Sequence, residues 1–152
     1  MLKFGINIMM KMTESETIVK VWFEGDRIFI LSSEGKEYSR PLEAFPLLKE
    51  ASENERNDVS IVLHGTALRW KHLDEDIHIS SFYQTEEPNE FNEVAAIFRQ
   101  FPQLNVSEVA RSMGINKSLL SKYIYGIKKP SPKRMMQIKE VLHVLGQRLV
   151  AV

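Results

Sequence analysis

The chain has 152 residues, 43% hydrophobic and 26% charged, enough for one ordinary domain or two small ones with a buried core. It has no cysteine, which excludes a disulfide scaffold, a thiolate zinc site and a cysteine nucleophile. Its formal charge of zero hides a split: residues 1–88 carry 10 Lys+Arg against 16 Asp+Glu, net −6, and residues 89–152 carry 10 against 4, net +6. Such asymmetry points to nucleic-acid binding by the second half.

The start, "MLKFGINIMMKMTESE", has only a short apolar run, broken by lysines and lacking a small-residue cleavage site. No signal peptide is expected, no stretch approaches the length of a membrane span, and the cytoplasm is the simplest compartment. "IVKVWF" (18–23) and "RIFILS" (27–32) flank "EGD", a hairpin signal, and "SSEGKEYS" (32–39) repeats it around Gly35, predicting a three-stranded meander. "PLEAFPLLKEAS" (41–52) predicts a short helix with an apolar stripe at Leu42, Phe45 and Leu48, broken into two turns by Pro46. "ENERND" (53–58) reads as a polar loop. "VSIVLHG" (59–65), "TALRW" (66–70) and "IHISSF" (77–82) read as further strands, the last an edge strand after the turn "HLDED" (72–76). Residues 1–84 are therefore expected to form a small α+β domain, an antiparallel sheet with a short helix.

The polar, Pro88-containing stretch at 85–90 reads as a linker, and residues 91–152 as an all-α domain. Phe91, Val94, Ala95, Phe98 and Phe101 predict one apolar helix face, ended by Pro102. "VSEVARSMGINKSLLSKYIYG" (106–126) predicts two helices joined at Gly114, with Asn105 or Ser107 capping the first and Asn116 the second. Val109, Ala110 and Met113 face inward from the first helix, and Leu120, Tyr123, Ile124 and Ile127 from the second. "PKRMMQIKEVLHVLG" follows with Met135, Ile138, Val141, Leu142 and Leu145 in helical register.

On the second helix of that pair, Ser118, Ser121, Lys122 and Tyr125 fall on the outward face, with Lys117 in the first turn. A helix of this size fits the major groove of B-DNA, and hydroxyls and ammonium groups there can meet base edges. Between Lys117 and Arg134 lie six cations (Lys117, Lys122, Lys128, Lys129, Lys133 and Arg134) and no acid. Lys128, Lys129, Lys133 and Arg134, with Asn116, are suited to phosphates. The bland alternative is an amphipathic hairpin with solvated cations, in a protein-interaction adaptor that never touches DNA.

"VARSMGI" and "SLLSKYIYGIKKPS" resemble the helix-turn-helix of the lambda-repressor-like (Cro/C1, XRE) family, including its Gly-x-x-x-Pro exit at Gly126 and Pro130. The resemblance covers about residues 89–147. It implies a recognition helix near 117–125, with base contacts from Lys117, Ser118, Ser121 and Lys122. Many members carry an acid where this chain has Ile124. The resemblance also implies binding to double-stranded DNA, as a homodimer on a two-fold site.

"LRWKHLDEDIHI" (68–79) places His72, Asp74, Glu75, Asp76 and His78 close together. On a strand, His72, Asp74, Asp76 and His78 would share one side and invite a metal. "LDED" favours a turn instead, and the stretch has neither the ligand spacing of a calcium loop nor an HExxH. No metal, cofactor or catalytic residue is expected. Residues 15–84 resemble a small bacterial domain of unknown function whose hallmark is here Trp70, Leu73, Asp74, Glu75, Asp76 and Ile77. Members occur alone or fused to a C-terminal lambda-repressor-like domain, some beside toxin genes. This implies a transcriptional regulator, with an antitoxin-type autorepressor as its most concrete form and a toxin as partner of the acidic half.

Overall fold

In the computed structural model, residues 15–152 are described. The stretch in which no signal peptide is expected lies, up to Glu14, outside the described residues. The predicted meander forms from β1 (Ile18–Glu24), β2 (Arg27–Ser32) and β3 (Glu37–Pro41), in the order β1-β2-β3. β2 alternates cleanly, burying Ile28, Ile30 and Ser32, as a strand with one packed face must. Trp22 and Phe29, directly opposite in the β1–β2 register, stack at 5.6 Å. Gly25, at φ +56°, supplies the left-handed turn between these strands.

The segment 41–50 divides at proline as the sequence predicts. A 3-10 turn covers Leu42–Ala44, and helix α1 starts on the proline and runs Pro46–Glu50. The polar stretch expected as a loop at 53–58 is instead helix α2 (Glu53–Asn57). A capping box makes it: the Ser52 hydroxyl accepts from the Glu55 amide, and the Glu55 carboxylate accepts from the Ser52 amide.

The first half is expected to hold one sheet; among the described residues there are two, each of three strands. The second contains β4 (Ser60–Val62), β5 (Ala67–Trp70) and β6 (Glu75–His78), all antiparallel. Two expected strands are shorter than their apolar patterns. β4 stops because Leu63 and His64 take positive φ (52° and 55°) in a 3-10 turn. β6 stops because the His78 ring nitrogen accepts from the Ser80 amide and caps a 3-10 turn over Ile79–Tyr83.

After the polar stretch come α3 (Glu93–Gln100), α4 (Val106–Met113), α5 (Lys117–Tyr125) and α6 (Pro132–Val150). Phe91, expected on the apolar face of α3, is 83% exposed. Asn92 is the N-cap, accepting from the Ala95 amide, so Phe91 precedes the helix and does not share its face. The fold is thus α+β, two small antiparallel sheets with several helices.

Two compact units divide the chain. The first comprises the described residues up to Arg40 together with Ala51–Thr85; the second comprises Pro41–Glu50 together with Glu86–Val152. In the first, Trp70 is buried and donates from its ring nitrogen to the Arg56 carbonyl at 2.8 Å. In the second, Val94, Val109, Ala110, Leu120, Tyr123 and Ile138 form the core. The segment 41–50, read from sequence as part of the first domain, packs with the helical unit.

A small polar knot closes the first unit. The Glu16 carboxylate accepts from the Tyr38 and Tyr83 hydroxyls at 3.0 Å each, and the two rings meet edge-on at 5.4 Å. Burial works against the Glu16 charge, but hydrogen bonds from Ser32, Tyr83 and Tyr38 prevail and lower its pKa. Burial and the Glu16 carboxylate push the Tyr83 hydroxyl up to about 12, so it remains a donor at neutral pH. A depressed carboxylate pKa stabilises the fold above the unfolded value of about 4.3 and loses that contribution as pH falls through the folded value. Glu16→Gln is therefore expected to cost under about 1 kcal/mol at pH 7, since the group is partly exposed. It should also flatten the loss of stability on acidification below pH 5, measured by urea unfolding at pH 7 and pH 4.

Candidate nucleic-acid interface

Helix α4 ends and α5 begins through a chain of local bonds that the sequence specifies. Asn105 caps α4 by accepting from the Glu108 amide, and Asn116 caps α5 by accepting from the Leu119 amide at 2.7 Å. Between them Gly114 takes φ +72°, with its amide on the Arg111 carbonyl and the Ile115 amide on the Ala110 carbonyl. This paired bonding satisfies the last carbonyls of α4 and turns the chain sharply. The exit of α5 repeats it: Gly126 stands at φ +76°, and the Ile127 amide donates to the Lys122 carbonyl at 3.0 Å.

Gly126 is needed for a second reason. The Asn89 amide donates to the Tyr125 carbonyl at 2.8 Å, and the Asn92 side-chain amide bridges the carbonyls of Asn89 and Ile124. The chain entering α3 is thereby laid against the end of α5. A Cβ on residue 126 would overlap the Asn89 carbonyl oxygen and stand 2.9 Å from its carbon and amide nitrogen. At Gly114 a Cβ would meet open space.

Lys117 is exposed at the first residue of α5, and its Nζ pairs with Glu50 at 3.0 Å. Ser118 and Lys122 are half-buried. Ser121, expected on the outward face, is only 5% exposed. The 3-10 turn and helix of segment 41–50 pack against α5, and Ser121 lies in a recess with Glu50, Asn105, Val106, Ser107 and Lys117. Tyr125, also expected on the outward face, lies under the Lys49 ammonium at 5.5 Å. Amphipathic spacing identifies the outer face of the hairpin but not the segment that covers part of it.

The flanking cations are placed differently. Lys128 and Lys129 are exposed in the turn after α5, and Lys133 is exposed in the first turn of α6. None of the three forms an ion pair among the described residues. Arg134 is half-buried and donates to the Gln137 side chain at 3.0 Å. An open groove of about 880 Å³ runs past Asn89, Phe91, Lys128, Lys129 and Ser131. The first turns of α3 and α4 carry Glu93 and Glu108, whereas those of α5 and α6 carry no acid. Lys117, Lys133 and Arg134 stand there instead, against the helix dipole, which favours anions at that end. The starts of α5 and α6 thus hold cations where those of α3 and α4 hold acids.

The His and Asp cluster at 72–78 is disposed otherwise. Asp74, at φ +50°, turns the chain, so the alternation imagined for a strand begins only at Glu75. Arg69 clamps both aspartates, at 2.9 Å to Asp74 and 2.7 Å to Asp76, and His72 lies 3.6 Å from Asp58. Those pairs hold Arg69 protonated, chiefly through the Asp74 bond. No group of three or more His, Asp or Glu converges to hold a metal among the described residues, and no helix there is long and apolar enough to cross a membrane.

Residues 18–88 match the family described as "Protein of unknown function (DUF2442)", and the match contains the stretch from Trp70 to Ile77. No model of the Cro/C1 helix-turn-helix family matches the chain, and none of the curated proteins does. A protein of unknown function from Rhodospirillum rubrum ATCC 11170 is 20% identical, over 47% of this chain and 94% of its own, with a TM-score of 0.40. A "Putative DNA Binding Protein" from Nitrosomonas europaea ATCC 19718 is 12% identical, over 82% of this chain and 84% of its own, with a TM-score of 0.34.

The two turn glycines make separable demands. Gly114→Ala is expected to cost about 1–2 kcal/mol, the strain of a left-handed alanine. Gly126→Ala should cost distinctly more, because the methyl also collides with backbone that cannot swing aside. Urea unfolding of the two variants side by side checks the order.

Proposed function

We propose that the chain is a sequence-specific DNA-binding transcriptional regulator whose helical unit is a helix-turn-helix of the lambda-repressor-like kind, with α5 as recognition helix. The observation that carries this reading is the acid-free cation run from Lys117 to Arg134, set around two helix N-termini that hold cations in place of acids. In this reading Lys117, Ser118 and Lys122 face base edges, and Ser121 joins them only where its recess opens. Asn116, Lys128, Lys129, Lys133 and Arg134 hold phosphates and set the register. One small unit contacts few base pairs, so a homodimer on a two-fold operator is part of the proposal.

The DUF2442 stretch, with its acid excess, is proposed as a regulatory or partner-binding part. An autorepressor of antitoxin type is the most concrete form, its acids complementing a basic toxin surface. A structural turn rather than a catalytic or metal site is proposed for the 72–78 stretch, since Arg69 engages the aspartates a metal would need.

Titration of a duplex carrying the chain's own promoter region over a salt series tests the reading. Affinity should fall steeply and linearly in log salt, by about 0.9 per phosphate contact. Replacing both Lys128 and Lys129 by Ala should weaken binding to every duplex alike and lower that slope by about 2. Failure to bind any duplex at low salt, random-sequence pools included, would leave the protein-interaction adaptor as the better reading.

A further inference from the structure

The segment Pro41–Glu50 lies on the face of α5 that the proposed function needs for DNA. Its 3-10 turn and helix pack against α5. Glu50 offers both carboxylate oxygens to Lys117, at 3.0 and 3.3 Å. Lys49 holds Glu43 at 3.0 Å and stands over the Tyr125 ring. Ser121, 5% exposed, lies in the recess that Glu50 lines together with Lys117 and the start of α4 at Asn105, Val106 and Ser107. Leu42, Phe45 and Leu48 are buried along the same segment, so it is a packed element and not a passing loop.

A carboxylate bonded to the first lysine of α5 occupies the place that a phosphate or a guanine edge would take. Glu50 stands at the mouth of the recess that holds Ser121, and Lys49 stands over Tyr125, so the segment occupies the approach to α5. We infer that segment 41–50 is an autoinhibitory cover, an intramolecular acidic competitor that must lift from α5 before DNA is read. This rests on the proposed function. The cover is part of the DUF2442 stretch by sequence and of the helical unit by packing, joined covalently to the first unit at Arg40 and Ala51.

The affinity such a chain shows for DNA is its intrinsic affinity reduced by the fraction of time the cover is open. The Glu50–Lys117 pair is about half exposed on both sides, so its own share is modest. Replacing Lys49 and Glu50 together by Gln removes both contacts and leaves the net charge unchanged. Any gain in affinity then cannot come from added positive charge. On the full chain, the double variant should bind a random-sequence duplex of about 30 base pairs roughly two- to fivefold more tightly than wild type at low salt.

The absence of native cysteine permits a second readout independent of DNA. Ser121→Cys should react with a maleimide at least about tenfold more slowly than Ser112→Cys, because position 112 on α4 is exposed. Adding the double Gln replacement should speed the reaction of the thiol at position 121 and leave that at position 112 unchanged. Equal reactivity of the two thiols in the otherwise native chain would overturn the cover. Equal duplex affinity of wild type and double Gln variant would overturn its inhibitory role while sparing the DNA reading. Absence of duplex binding by both, with the thiol at position 121 still protected, would overturn the DNA reading and the inhibitory role with it, leaving only a packed segment.

Discussion

The helical unit depends on the burial of one face of α5. Leu120 is fully buried and Tyr123 nearly so, against Val94, Val109, Ala110 and Ile138 from three other helices. Burying two such side chains contributes on the order of 3–6 kcal/mol, a large share of what a small domain has to spare. Ala110 is the small residue that allows α4 to approach. Once these residues are seated, the rotation of α5 about its axis is settled, and with it the direction in which Lys117, Ser118 and Lys122 emerge. The backbone clamp of Asn89 and Asn92 on the last carbonyls of α5 then holds its far end.

Electrostatics follow from that placement. Helices α3 and α4 begin with acids, as the macrodipole favours, and α5 and α6 begin with cations. The second arrangement gives up a few tenths of a kcal/mol per charge. The 72–78 cluster shows the reverse: its acids meet a guanidinium of the same sheet and are consumed by the fold. Similar densities of charged residues in the sequence therefore meet different fates: Asp74 and Asp76 are clamped by Arg69, whereas Lys128, Lys129 and Lys133 form no ion pair among the described residues.

The segment 41–50 links the two themes. Its acids are few, yet one of them meets the first cation of the run. Its apolar stripe, Leu42, Phe45 and Leu48, is buried as its spacing predicts. A short apolar stripe states only that a segment will be covered. It carries no information about which neighbour does the covering, and here proximity in sequence to three strands points the wrong way.

Local chemistry is legible from residues alone. The β1–β2 hairpin, the proline break at Pro46, the asparagine caps, Gly114, Gly126 and the bounds of α5 follow from period, capping and turn preference, all of which act within a few residues. The capping box at Ser52 and Glu55 is also legible as a Ser-x-x-Glu spacing, but the surrounding polarity suggests a loop. What tertiary structure alone decided is of longer range: the division of the strands into two sheets, the exposure of Phe91, the Arg69 clamp on Asp74 and Asp76, and the packing of segment 41–50 on α5. A side chain's periodicity tells which side of its own helix it occupies. Whether that side meets solvent, DNA or another segment depends on groups many tens of residues away, and no local pattern encodes them.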